Sequence, residues 1–156
     1  MKYASNIYDV AKWFLSTKPM THKKLQKLLY FSYGIYLAQN NTDENSLDDQ
    51  LFENNFEAWV HGPVDQMIYS LFKYNGINEI YIEEPIVISL NGKILNALNK
   101  TMELYGDKEA DILEEISHIQ TPWINARDGI GITEVSNAKL SEKDIFNTFK
   151  EILNER

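Results

Sequence analysis

Thr21-His-Lys-Lys-Leu-Gln-Lys-Leu-Leu-Tyr-Phe-Ser-Tyr-Gly-Ile-Tyr-Leu-Ala-Gln39 decides the fold. Between Leu25 and Ala38, ten of fourteen residues are apolar or tyrosine. A surface helix carries one apolar stripe, whereas a helix apolar nearly all round is buried on several sides. A membrane span needs about 20 apolar residues, and Lys27 interrupts this run. The stretch therefore reads as the central helix of a small globular domain. Thr21 can cap its first turn, with Met20 and Leu25 at the two staple positions. Gly34 lies mid-helix, where it costs about 1 kcal/mol against Ala, so the reading places a neighbouring helix in close approach there.

Before this helix, Ile7, Val10, Ala11, Phe14 and Leu15 repeat at helical spacing, which predicts a first helix over 5–18 that Pro19 ends. Two helices so tightly joined invite a helix-turn-helix reading, with Lys18, Lys23, Lys24 and Lys27 at phosphates. Against it, a recognition helix presents polar side chains to base edges, and this one is apolar from Leu25 onward.

Beyond the central helix, residues 40–55 are polar and acidic and read as a solvated loop. Phe56-Glu-Ala-Trp-Val alternates as a short strand. Gly62 and Pro63 then read as the N-cap and first position of a helix, with Val64, Met67, Ile68, Leu71 and Phe72 inward and Gly76 as its stop. This places His61 just ahead of a helix start. Ile77 to Ser89 offers one or two short strands, with Ile80 and Ile82 alternating with charged residues and Ile86-Val87-Ile88 a short apolar run. Ser89 is set to cap a helix to about Tyr105 with Ile94, Leu95, Leu98 and Met102 inward. Asp107 opens another, through Leu113 and Ile116 to His118. Thr121 and Pro122 are the N-cap and first position of a short helix. A minor strand over 130–135 follows, and Ser141-Glu-Lys-Asp144 starts a C-terminal amphipathic helix.

The expectation is a mainly α, single compact domain over 1–156, with about six to seven helices around the buried central one and minor short β-strands. A hydrophobic share of 44% is ordinary for a globular chain. Absence of cysteine removes disulfides, thiolate metal sites and thiol nucleophiles. The N-terminus reads as no signal peptide, which points to the cytoplasm. The net charge is −8, but residues 1–38 carry six lysines against Asp9, or +5, leaving −13 on the remainder. Such acidity disfavours general nucleic-acid binding and suits a basic protein partner.

No phosphate loop, dinucleotide fingerprint, zinc-helix signature or nucleophile elbow occurs in the sequence. His22, His61 and His118 lack metal-ligand spacing, and Glu114-Glu115 reads as a solvated pair. Nothing implies a catalytic set, cofactor or metal. Trp59 and Trp123 stand beside the two Pro-initiated segments. Trp123 and Arg127, four apart on one helix face, form a candidate interface anchor or else a core pair.

Lys24-Leu-Gln-Lys-Leu-Leu-Tyr-Phe-Ser-Tyr33, Phe56-Glu-Ala-Trp-Val-His-Gly-Pro-Val64, Ile116-Ser-His118, Pro122-Trp123 and Ala126-Arg127 together resemble the Panacea domain. These are the SocA-like antitoxins, also described as phage-associated proteins, and the resemblance covers roughly 5–127. It implies a mainly helical, non-enzymatic antitoxin that neutralises a cognate protein toxin by direct contact, the toxin being encoded in the adjacent gene. It also implies an alternative, an adaptor delivering the toxin to an AAA+ protease; the basic residues Lys18, Lys23, Lys24 and Lys27 leave open a third reading, a DNA-binding autoregulator. The family has no catalytic residues to transfer. Trp59, His61, Gly62, Pro63, Trp123 and Arg127 are carried over as candidates for partner contact or for the fold.

Overall fold

A computed structural model describes residues 2–82 and 90–154. Among them are seven α-helices and one β-hairpin, so the chain is mainly α. The helices are α1 (Ile7–Thr17), α2 (His22–Asn40), α3 (Gln66–Phe72), α4 (Gly92–Tyr105), α5 (Ala110–His118), α6 (Thr121–Ala126) and α7 (Glu142–Asn154). The hairpin is β1 (Phe56–Trp59) and β2 (Gly62–Asp65), and a 3-10 turn, Lys73–Asn75, prolongs α3.

Helix α2 is the axis. Every residue from Leu25 to Ala38 is buried, because α1, α3, α4, α5, α7 and β2 all pack on it. Thr21 Oγ1 accepts from Lys24 N at 3.2 Å, capping the first turn, and Met20 and Leu25 are both buried. The tyrosines supply most of the aromatic contacts. Tyr30 stands edge-on to Phe56 and Phe149, and Phe31 stacks on Tyr105 at 4.1 Å. The Tyr30 hydroxyl donates to Gln120 Oε1 at 2.8 Å, which satisfies a polar group far from water. Gly34 faces Phe149 of α7 so closely that a Cβ there would lie 2.1 Å from the ring. This is the close helix approach that the sequence predicts. The five apolar residues of α1 are its buried face.

Several local readings shift. The acidic stretch after α2 is no free loop: Leu51 and Phe52 enter the core, and Asn41 Nδ2 ties the Leu37 and Asp49 carbonyls at 2.9 and 2.8 Å. Gly62 and Pro63 do not start a helix; they lie in β2, and Asp65 caps α3 by accepting from Ile68 N at 3.0 Å. Ala58 N–H points away from β2 to Ala138 O, at 2.8 Å. Pro63, paired opposite Ala58, therefore has no ladder donor to supply, and the strand tolerates it.

Only Ile68 of the expected inward face of α3 is buried within that helix, while Met67 and Leu71 are each 54% exposed. Helix α4 buries Ile94, Ala97, Leu98, Thr101 and Tyr105, with Met102 half-buried against the core as expected and Leu95 half-buried, and Asn91 is its cap. Helix α5 begins at Ala110 instead of Asp107, and Gln120, not Thr121, precedes α6. Residues 130–135 form turns instead of a strand. Ile80 makes one bridge with Met20; the expected strand at 86–88 and the Ser89 cap lie outside the described residues. Ser141 Oγ accepts from Asp144 N at 3.2 Å and starts α7 as expected.

Candidate functional site

The sequence motifs converge on the hairpin. Its register pairs Trp59 with Gly62, leaving a two-residue turn of Val60 and His61. Gly62 has φ of +103°, a region that side chains rarely adopt. A Cβ there would also lie 2.6 Å from Lys27 Cε and 2.8 Å from Ser117 Oγ. Glycine is thus required twice, by backbone shape and by the side chains pressed against it.

Four distant side chains pin the backbone carbonyls of this hairpin. Arg127 Nη1 donates to Ala58 O at 2.7 Å, and Trp123 Nε1 to Trp59 O at 2.8 Å. His118 Nε2 donates to Val60 O at 2.9 Å, which fixes the proton on that nitrogen. Lys27 Nζ donates to Pro63 O at 3.1 Å. Gln26 adds a two-way clamp, donating to Asp65 O and accepting from Asp65 N, both at 2.9 Å. Helices α2, α5 and α6 thus hold the hairpin through its backbone.

Trp123 and Arg127 consequently lie inside the molecule, 8% and 5% exposed. The Arg127 Nη2 also gathers the Gly131 and Glu134 carbonyls at 2.8 and 2.5 Å, shaping the loop after α6. The guanidinium lies over the Trp123 ring at 5.2 Å, and the His118 and Trp123 ring centroids are 4.1 Å apart. These are supports of the hairpin, not surface anchors.

The lysines do not form a phosphate-reading row. Lys18 and Lys24 both donate to Gly106 O at the C-terminus of α4, at 2.5 and 2.7 Å, a position that favours cations. Lys23 bridges Asp111 and Glu114 at 2.7 and 2.6 Å. Lys27 is 1% exposed. Glu114 is correspondingly no solvated side chain, since it also meets His61 Nδ1 at 3.2 Å. Burial raises its pKa, but the Lys23 and His61 contacts outweigh this and hold the carboxyl below its ordinary range. His118 is also near Glu114, 3.9 Å away, while His22 stands edge-on to Tyr69. Among the described residues no group of three His, Cys, Asp or Glu could hold a metal ion.

Helix α2, the hairpin, α3 and α5 enclose a cleft of about 550 Å³, a volume typical of ligand sites. Its walls are largely apolar, with half-buried Trp59 and Tyr69 in contact at 4.9 Å. Lys27 lines its floor and exposed His61 its rim. Burial, then repulsion from Lys23, lowers the Lys27 amine to about 7, and burial with Lys27 also lowers the His22 imidazole. Sequence reasoning singled out Trp59, His61 and Lys27 but missed Gln26, Tyr69 and Glu114. The signal for Gln26 was present: a polar pair, Gln26-Lys27, inside an otherwise apolar helix must find buried partners.

No helix among the described residues is long and apolar enough to cross a membrane. The family model described as Antitoxin SocA-like, Panacea domain, matches residues 25–124. That span holds the buried run of α2, the hairpin and Trp123, and stops short of Arg127. The chain is similar to Antitoxin SocA of Caulobacter vibrioides (strain NA1000 / CB15N), at 27% identity over 144 residues, which covers 85% of this chain and 73% of that protein. No solved structure matches the chain.

Proposed function

Because the chain belongs to the SocA-like, Panacea-domain antitoxin family, we propose that it is the antitoxin of a bacterial or prophage toxin–antitoxin pair and neutralises its toxin by direct binding. The family match over 25–124 carries this reading. In it the protein acts in the cytoplasm by occupying its partner, without chemistry of its own. Its partner is a protein encoded in a neighbouring gene.

The surface supports a protein partner. Met67, Leu71 and Tyr74 follow one another at i, i+4 and i+7 and are 54%, 54% and 88% exposed. An apolar stripe of this spacing normally faces a core, and here none of the described residues covers it. Exposed apolar surface of this kind marks interaction sites.

The test is growth rescue. Each gene flanking this one is induced in a bacterial host, with and without this protein. One neighbour should arrest growth, and this protein should restore it while the two purify as a complex with the toxin intact. If no neighbour is toxic, or arrest persists beside well-folded protein, the antitoxin reading fails. Rescue that needs a host protease and depletes the toxin would replace direct blocking with delivery for degradation.

A further inference from the structure

The cleft between α2, the hairpin, α3 and α5 has its cations already engaged by the protein itself. Lys27 Nζ is buried against Pro63 O. Lys23 bridges Asp111 and Glu114, and Glu114 also holds His61. Gln26 is tied on both sides to Asp65. An anionic ligand would find no free cation here, and a buried charge without one is costly. What the cleft offers is apolar surface with aromatic rings in a row. Trp59 and Tyr69 meet at 4.9 Å and Tyr69 and His22 at 5.8 Å, both edge to face. Val64, Ile77 and Ala110 complete the wall. Rings gain from such contacts beyond the area they bury, so the wall favours an aromatic occupant over an aliphatic one.

Trp59 is shared with a second recess. This one is about 150 Å³, with Val60, Val64 and Val135 in its lining, and Val135 is 94% exposed. Among the described residues an apolar band therefore runs from Ile77 across Trp59 to Val135. One small molecule fills one recess; two recesses that share a wall suit two side chains of one segment. In an extended chain, residues i and i+2 lie on the same side about 6.5–7 Å apart, far enough to straddle one indole. The rim adds a charge preference. Within two positions of Ile77, Ala110 and Val135 the chain carries Glu79, Glu109, Asp111 and Glu134 against Lys108. An acidic rim steers a basic partner and repels nucleic acid.

We infer that this band docks an extended, basic segment of a partner protein, with an aromatic side chain in the cleft beside Trp59 and Tyr69 and an apolar side chain two residues away in the recess at Val135. That the partner is a toxin rests on the antitoxin reading; the fit of the two recesses does not. Tyr69 and Ile77 lie in the same segment as the stripe of Met67, Leu71 and Tyr74, so both surfaces belong to one part of the chain.

The probe is the peptide acetyl-Lys-Trp-Lys-Val-Lys-amide, titrated into the ¹⁵N-labelled full chain. It should shift the resonances of His22, Ile77, Val135 and the Trp59 indole saturably. Acetyl-Lys-Ala-Lys-Ala-Lys-amide keeps the charge and lacks both apolar side chains, and it should bind at least tenfold more weakly. Acetyl-Glu-Trp-Glu-Val-Glu-amide keeps those side chains and reverses the charge, and it too should bind more weakly, by an amount that shrinks as salt is added. No saturable shift up to roughly 5 mM overturns the inference, as does an alanine peptide of equal affinity. N-acetyl-tryptophanamide binding as tightly as the peptide also overturns it, by making the cleft a small-molecule site. The comparison uses wild-type protein throughout, so no variant has to fold. Growth rescue without a peptide preference sinks this surface alone; a peptide preference without rescue sinks the antitoxin reading alone.

Discussion

Gly34→Ala is the sharpest test of the packing around α2. In an open helix this change stabilises by about 1 kcal/mol. Here the new Cβ would sit 2.1, 2.3 and 2.7 Å from Cδ2, Cε2 and Cγ of Phe149. Carbon atoms rest at about 3.5–4.0 Å, so ring and helix must part by roughly 1.5 Å. The ring has nowhere to go. Phe149 is fully buried and stands edge-on to Tyr30 and Phe31, with centroids 5.6 and 6.1 Å away. Overpacking a filled core costs about 1–3 kcal/mol, occasionally more. Three contacts on rigid ring carbons put this case at the upper end. Offset by the helix propensity gain, the expected loss is about 2 kcal/mol. In a chain of this size that lowers Tm by roughly 4–8 °C. Urea melts followed by circular dichroism measure it. Phe149→Leu, destabilising by itself, should make room for the methyl, giving a favourable coupling of about 1–2 kcal/mol in the double variant. A more stable Gly34→Ala, or strictly additive variants, would refute the α2–α7 contact.

Arg127→Ala should cost about 3–5 kcal/mol in a denaturant melt, because the carbonyls of Ala58, Gly131 and Glu134 lose a buried charged donor. Arg127→Lys should not rescue it, since one ammonium cannot span that fork; a wild-type melt with weakened toxin binding would instead return Arg127 to the interface. Stability should rise from about pH 7 to about pH 9.5, by up to roughly 1.4 kcal/mol per pH unit. In that window the unfolded Lys27 keeps the proton that the folded amine, lowered by burial to about 7, has released. Lys27→Met should flatten this part of the profile. At higher pH the trend reverses, because burial raises the pKa of Tyr30, Tyr33 and Tyr36 and the unfolded tyrosines ionise first. Urea melts across pH check both limbs, and a wild-type profile already flat above neutrality would show that Lys27 is not sealed.

The centre of the fold was legible because α2 is apolar on every side, a pattern with few solutions in a chain of this length. The face of α1, the Thr21 cap and the Gly34 contact followed from the same local rules. The hairpin did not, for a specific reason. A proline that donates no hydrogen bond fits the first turn of a helix and equally a strand position whose N–H has no partner. Gly62-Pro63 satisfies both, and only the pairing of Trp59 with Gly62 decides between them. The roles of Trp123, Arg127 and His118 were hidden for a related reason. Their partners are backbone carbonyls of the hairpin, and side-chain spacing carries no information about which carbonyl lies opposite. Met67 and Leu71 make the converse case. Their spacing predicts a buried face, yet the chain leaves them out. Helical periodicity records that a face is covered, not which molecule covers it. A stripe that fits the core template but finds no core is therefore what an obligate partner surface should look like in a lone chain. Replacing Met67 and Leu71 by Gln should leave the melt within about 0.5 kcal/mol of wild type while weakening capture of the toxin. A large loss of stability would mean that the stripe belongs to the fold after all.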